Sequence, residues 1–230
     1  MKEIAQTLIE TQSVVIRPDE PFQLASGRFS PVYVDCRRLI SFPRIRRSIT
    51  QAFAQIIKQQ IGQIDVLAGG ETAGIPFAAF LAVELDRPMI YVRKAPKSYG
   101  KGSQIEGVLH ADQRVLLSED LVTDGGSKLE FVKGIRAAGG VVSHCLCVFE
   151  YYSERAGLRQ ARDRLKENEI TLHSLTHWDE VLDLLISQGK LTSAQQEQIL
   201  AFLKDSARYS PGRSPAGPGA SPIEPGPPRE

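Results

Sequence analysis

Two adjacent carboxylates, Glu119 and Asp120, stand between an apolar run, Val115-Leu116-Leu117, and a turn of small residues, Thr123-Asp124-Gly125-Gly126-Ser127. Ionised carboxylates only accept hydrogen bonds, so an adjacent pair suits the neighbouring hydroxyls of a ribose. The turn runs directly into a helical pattern that starts at Gly126. Backbone N–H groups at such a helix start form a concave anion site, glycine lets a phosphate come close, and Thr123 and Ser127 add hydroxyl donors. The whole stretch Glu119, Asp120, Leu121, Val122, Thr123, Asp124, Gly125, Gly126 and Ser127 therefore reads as a site for a ribose phosphate. A P-loop would need G-x-x-x-x-G-K-[ST], and a dinucleotide fold would need G-x-G-x-x-G after a strand; the chain has neither. The competing structural reading is a capped strand-to-helix turn.

Three further segments carry unusual residues. Arg93, Lys94, Lys97 and Lys101 fall on a segment with Gly100, Gly102 and Gly107, which reads as a mobile loop that closes on a polyanion; a solvated charged loop is the alternative. Gly69-Gly70-Glu71-Thr72-Ala73-Gly74-Ile75-Pro76 reads as a strand-to-helix turn whose amides at Gly69 and Gly70 face a second phosphate. Ala25 to Arg37 reads as a polar hairpin that covers a sheet edge and contacts a base, or as a plain surface hairpin. His110, His144, His173 and His177 have no metal-site spacing and read as ordinary surface or core residues, and Trp178 as a packing residue of a C-terminal helix.

The elements that hold these segments follow from periodicity. Helical patterns cover 1–11, 43–60, 73–85, 126–138 and 154–166, with one or two more up to Leu203. Strand patterns cover 22–25, 31–35, 65–68, 89–92, 141–149 and 171–175, and another begins at Arg114 and ends at Glu119-Asp120. Continuous apolar strands alternating with helices predict a parallel sheet covered on both faces, with ligands at the carboxyl ends of its strands. The loops after Ala68, Val92 and Ser118 all lie at that edge.

Composition agrees. Of 230 residues, 42% are hydrophobic and 24% charged, and the net charge is +1, so no overall field attracts nucleic acid or an acidic membrane. No secretory signal or membrane-spanning run is present in the sequence, and three cysteines without a pairing pattern point to reduced thiols and a cytoplasmic setting. Residues 206–230 hold half of the chain's 14 prolines and read as a disordered tail.

The carboxylate turn resembles the PRPP signature of the type I phosphoribosyltransferases. Val92-Arg93-Lys94, Lys97, Gly100 and Ile105-Glu106-Gly107 are similar to the mobile loop of orotate phosphoribosyltransferases, and Leu24-Ala25-Ser26-Gly27-Arg28 with Ser30-Pro31 to their base-covering segment. With Gly74-Ile75-Pro76, the resemblance spans about residues 5 to 200, in particular toward a bacterial branch with Asp-Gly-Gly-Ser-Lys after the threonine. It implies an α/β, parallel-sheet type I phosphoribosyltransferase fold over residues 1–205, with a small N-terminal hood (about 1–40) and a core (about 41–205). It implies transfer of ribose 5-phosphate from PRPP to orotate, magnesium (Mg2+) carried by PRPP, no direct metal ligand, and a homodimer with shared active sites. Arg93, Lys94, Lys97 and Tyr99 would meet pyrophosphate, Glu119 to Ser127 the ribose phosphate, and Thr123, Ser26 and Arg155 orotate; Lys97, Lys94, Arg93 and Asp120 would carry catalysis. The chain departs from the family pattern at Tyr99 (often His), Lys101 (an acid), Ala73 and Ala25 (both often Lys) and Tyr151 (Arg). A PRPP-dependent transferase for another base, or a PRPP-binding regulator without catalysis, are the alternatives.

Overall fold

A computed structural model describes residues 2–24, 27–95, 103–207 and 209. Helix α1 (Lys2–Glu10) leads into β1 (Val14–Ile16), β2 (Phe22–Gln23), β3 (Phe29–Ser30), β4 (Val32–Val34) and a 3-10 turn, Cys36–Ser41. These form the N-terminal hood: β1 pairs antiparallel with β4, and β2 with β3. Then come α2 (Pro43–Ile56), β5 (Val66–Gly70), α3 (Gly74–Leu85), β6 (Met89–Val92), β7 (Ile105–Glu106) and β8 (Arg114–Val122). The chain closes with α4 (Gly126–Ala137), β9 (Val141–Glu150), α5 (Gln160–Glu167), β10 (Thr171–His177), α6 (Trp178–Ser187) and α7 (Ser193–Lys204).

The central sheet has the order β10-β9-β8-β5-β6-β7. Five strands are parallel, as expected from their unbroken apolar runs; β7 adds an antiparallel edge, so the sheet is mixed. Alternate residues of each strand feed opposite cores. Leu67, Leu116, Leu146 and Val148 pack with α1, α2, α3, α6 and α7, whereas Ala68, Leu117, Cys145 and Cys147 pack with α4 and α5. Helix α2 shows the logic: Pro43 starts it, and Ile49 and Phe53, one turn apart, are each 1% exposed. Each such side chain contributes about 1.5–3 kcal/mol by burial. All three cysteines are buried free thiols. No helix among the described residues is long and apolar enough to cross a membrane.

Several elements differ from expectation. Helix α5 starts at Gln160 rather than near Glu154, because Ser153 Oγ and the Glu154 N–H donate to Asp179 of α6 and hold the segment as a turn. Strand β5 runs on through Gly69 and Gly70, which pair with Tyr91 and Val92 of β6. These glycines thus belong to the sheet ladder and not to a phosphate-facing turn. Tyr209, inside the stretch expected to be disordered, lies edge-on to Phe202 with ring centroids 5.1 Å apart. Its hydroxyl is 3.0 Å from Gln198 Nε2. The rest of the expected tail, apart from Ser206 and Ala207, lies outside the described residues.

From β5 the chain moves to β6 on one side; from β8 it moves to β9 on the other. The switch point lies between β5 and β8, where an open α/β sheet leaves a crevice at its carboxyl edge.

Candidate functional site

Strand β8 outruns its neighbour. It pairs with β5 only as far as Ser118 but with β9 as far as Val122. Glu119 to Val122 therefore run on beyond the β5 pairing, and Glu119 and Asp120 border the crevice. Successive strand residues face opposite ways, so Glu119 reaches toward α4 and Asp120 toward the hood. Glu119 Oε2 accepts from Lys128 Nζ at 2.7 Å, and the two side chains are only 3% and 10% exposed. Burial raises the Glu119 pKa above the ordinary carboxylate range, with the ammonium pulling the other way. Burial alone would lower Lys128, but the Glu119 carboxylate outweighs it and raises it. Asp120 is also raised, by burial first, against the pull of Lys128 and the Leu121 N–H.

The glycines at the end of β5 make room for this carboxylate. A Cβ on Gly70 would stand 1.8 Å from Glu119 Oε1, and one on Gly74 would stand 2.5 Å from the Ser118 carbonyl oxygen and 2.7 Å from Glu119 Oε1. Side chains at either position would expel the acid or the backbone beside it.

The turn after β8 is built by its own residues. Gly125 has φ +78° and serves as N-cap of α4, a conformation that favours glycine. Asp124 Oδ1 accepts from the Gly126 N–H at 3.2 Å, and Asp124 Oδ2 from Arg164 at 2.7 Å. Burial opposes ionisation of Asp124, but these donors lower its pKa. Asp124 thus shapes the turn, while Thr123 and Ser127 are exposed on it. The side chain of Val122 is fully buried and that of Leu121 packs against the core, so these two offer only backbone to a ligand.

A cavity of about 480 Å³ opens here, lined by Arg37, Glu71, Ala73, Lys94, Asp120 and Ser127 among others. A larger one of about 730 Å³ lies between the hood and α6–α7. None of the carboxylates of β8 lines it, so the smaller cavity is the candidate site. Lys94 is anchored at its rim by its N–H, which donates to Glu71 Oε2 at 2.9 Å.

Other sequence candidates sit apart. The Arg93 guanidinium faces Glu106 of β7 at 3.7 Å and does not line the cavity. Arg155, considered as a hold on orotate, is engaged by Asp183 at 2.8 Å, Asp179 Oδ1 at 3.2 Å and the Asp179 carbonyl at 2.8 Å, all on α6. That guanidinium is occupied by α6 and does not line the cavity. Tyr151 packs edge-on to Trp178 at 5.4 Å, and burial raises its hydroxyl pKa. Ser26, Lys97 and Tyr99, with Ala25 and Lys101, lie outside the described residues.

Sequence reasoning missed Lys128, Glu71 and the cavity-facing role of Arg37. Lys128 carried a readable signal, since a cation in the first turn of a helix opposes the macrodipole and needs a local partner. Arg37 closed the hairpin expected to contact the base, but only the fold of the hood shows that it lines the cavity.

Residues 38–183 match the model of the phosphoribosyl transferase domain family. The chain is 45% identical over 218 residues to an orotate phosphoribosyltransferase of Cereibacter sphaeroides, covering 93% of this chain and 91% of that one. It is 47% identical over 202 residues to that of Rhizobium meliloti, covering 87% and 85%. Its fold is similar to the crystal structure of orotate phosphoribosyltransferase from Aeropyrum pernix, with TM-score 0.67, 27% identity and coverage of 82% of this chain and 99% of that one. It is also similar to Leishmania donovani UMP synthase, with TM-score 0.70 and 28% identity. There it covers 88% of this chain but spans only 42% of the larger protein. Two carboxylates near the end of β8, a glycine turn opening α4 behind them and relatives matched over nearly their whole length lead to one assignment: the chain belongs to the orotate phosphoribosyltransferase family.

Proposed function

We propose that the chain transfers the 5-phosphoribosyl group of PRPP to orotate, giving orotidine 5-phosphate and pyrophosphate, a step in pyrimidine (UMP) biosynthesis. The observation that carries this reading is the switch-point cavity, lined by the β8 carboxylates, Ser127 of the turn that follows and Lys94, in a chain of this family.

In the reaction the bond from ribose C1 to the diphosphate breaks and a bond from C1 to a base nitrogen forms. Positive charge grows on C1 and negative charge on the leaving group. Asp120 and Glu119 accept hydrogen bonds from the ribose hydroxyls and fix the ring. The turn from Thr123 to Ser127 takes the 5-phosphate on its N–H and hydroxyl groups. Lys94, Lys97 and Arg93, with Tyr99 beside them, neutralise the departing diphosphate as the loop closes and excludes water. Ser26 and Thr123 border the base. Oxygen donors at the site fit a hard divalent ion: Asp120 lines the cavity and has no salt bridge among the described residues. Mg2+ would travel on PRPP and be held beside Asp120; when bound it supplies Lewis-acid neutralisation of phosphate charge. The working unit is a homodimer in which each loop serves the neighbouring site.

The test is loss of orotate absorbance by purified protein. Turnover is expected to require both PRPP and magnesium. Conversion of adenine or uracil without conversion of orotate would overturn the base assignment.

A further inference from the structure

Among the described residues, the core side of the cavity carries little free positive charge. Among the described residues that line it, the cations are Arg37, Lys94 and Lys128. Lys128 is closed off by Glu119 at 2.7 Å. Position 73, which faces the same space from the β5–α3 turn, carries only a methyl group. A diphosphate leaving group calls for several cations, and on the described sheet-side elements lining the cavity Lys94 is the one not closed off by a carboxylate.

The hood adds a further cation, Arg37. Arg37 follows β4 on the 3-10 turn, and its Nε donates to Asp35 Oδ1 at 2.6 Å. The Arg37 N–H donates to the same oxygen at 3.2 Å. Asp35 is itself tied down, its N–H donating to the Ser13 carbonyl of the β1 end at 2.7 Å. The guanidinium is thus held by one edge. Its two terminal nitrogens have no partner among the described residues, and its side chain is 63% exposed toward the crevice. Arg37 and Asp120 also lie near enough to feel each other's charge. A planar fork held at Nε and open at both Nη atoms matches two phosphate oxygens.

We infer that Arg37 is a cationic arm of the diphosphate subsite, gripping the leaving group of PRPP from the hood side, opposite Ala73 and Lys94. This rests on the PRPP reading of the cavity but not on which base is used. The hood then does more than cover the base: it shares in binding the leaving group.

The experiment compares wild type with Arg37→Gln, which keeps a polar stem and loses the charge, and Arg37→Lys, which keeps the charge without the fork. Calorimetric titration with magnesium pyrophosphate is run beside steady-state assays, with thermal melts confirming that each variant folds. Arg37→Gln is expected to weaken pyrophosphate roughly ten- to a hundredfold, the range for one charged hydrogen-bonding group. KM for PRPP should climb in step, KM for orotate should stay within about twofold, and Arg37→Lys should recover part of the loss. Unchanged pyrophosphate affinity, or a loss confined to the KM of orotate, overturns the inference. Wild type that fails to consume orotate but binds pyrophosphate in an Arg37-dependent way would refute the base assignment and leave this inference standing.

Discussion

Replacing Lys128 by methionine tests the site's electrostatics most directly. Methionine has nearly the volume of the lysine stem, so packing is kept while the ammonium 2.7 Å from Glu119 is lost. Glu119 is 3% exposed, and removing the partner of a buried charge costs about 3–5 kcal/mol. The carboxylate can escape that cost by taking a proton. At pH 7 the proton costs about 3.7 kcal/mol relative to an unfolded glutamate of pKa about 4.3; at pH 5.5 it costs about 1.6 kcal/mol. In the variant the folded chain holds a proton that the unfolded chain releases above about pH 4.3. Folded stability must therefore fall as pH rises from there to the raised pKa of Glu119. Urea unfolding at pH 5.5 and pH 7, followed by helix signal, should show a deficit about 2 kcal/mol larger at pH 7. Adding Glu119→Gln to the variant should abolish the pH dependence. A deficit below about 1 kcal/mol, or one that does not change with pH, would show that water reaches the pair and that Lys128 is not what holds Glu119 in place.

Gly74→Ala should destabilise by about 1–3 kcal/mol or more in urea melts and raise the KM of PRPP, since the new methyl meets the Ser118 carbonyl oxygen at 2.5 Å, which is backbone and cannot swing away. His173, hydrogen-bonded to His144 at 3.1 Å and facing Gln60 and Arg162, has its pKa lowered to about 4 by burial, then by His144 and Arg162. The unfolded chain then binds more protons between the ordinary histidine value and pH 4, so stability should drop as pH falls through that window, by about 1–2 kcal/mol after screening of this half-exposed ring, and His173→Gln should flatten the curve. Truncation after Tyr209 should leave the melting temperature unchanged, whereas truncation after Lys204 should lower it by a few degrees, because the Tyr209 ring on Phe202 is lost. Lys97→Ala and Asp120→Asn, each inactive alone, should recover about a quarter of the sites when their subunits are exchanged, if the loop serves the neighbouring site; no recovery after verified exchange would assign each loop to its own chain.

Legibility in the sequence followed the range of the interactions. Strand Met89–Val92 is read to the residue, and α3 and α4 within one, because apolar period and flanking turns are local signals. The Glu119–Ser127 turn is legible for the same reason: its chemistry is contiguous. Strand β1 escaped notice, since three residues define no alternation and its partner β4 lies 16–20 residues on, as in the pairs Val14–Val34 and Ile16–Val32. The role of Gly70 was misread as phosphate contact because its actual neighbour, Glu119, is remote in sequence. Arg155 looked available until Asp179 and Asp183 of α6 came into view. Lys128 announces only that it needs a partner; that the partner is Glu119, and that Arg37 faces the cavity, follows from the tertiary fold.

Trp178 is the chain's single tryptophan, fully buried between Phe149 and Tyr151 in the cluster that joins the hood to one face of the sheet. The cluster on the other face, under α4 and α5, contains no tryptophan or tyrosine. The molecule therefore carries an optical gauge wired to one layer only. Its emission should be blue and shielded from acrylamide until the hood-side layer opens, while α4 and the carboxylate turn could loosen without dimming it. If the two layers part company under denaturant, fluorescence and circular dichroism will trace separate curves; if the sheet binds them into one cooperative unit, the curves will coincide.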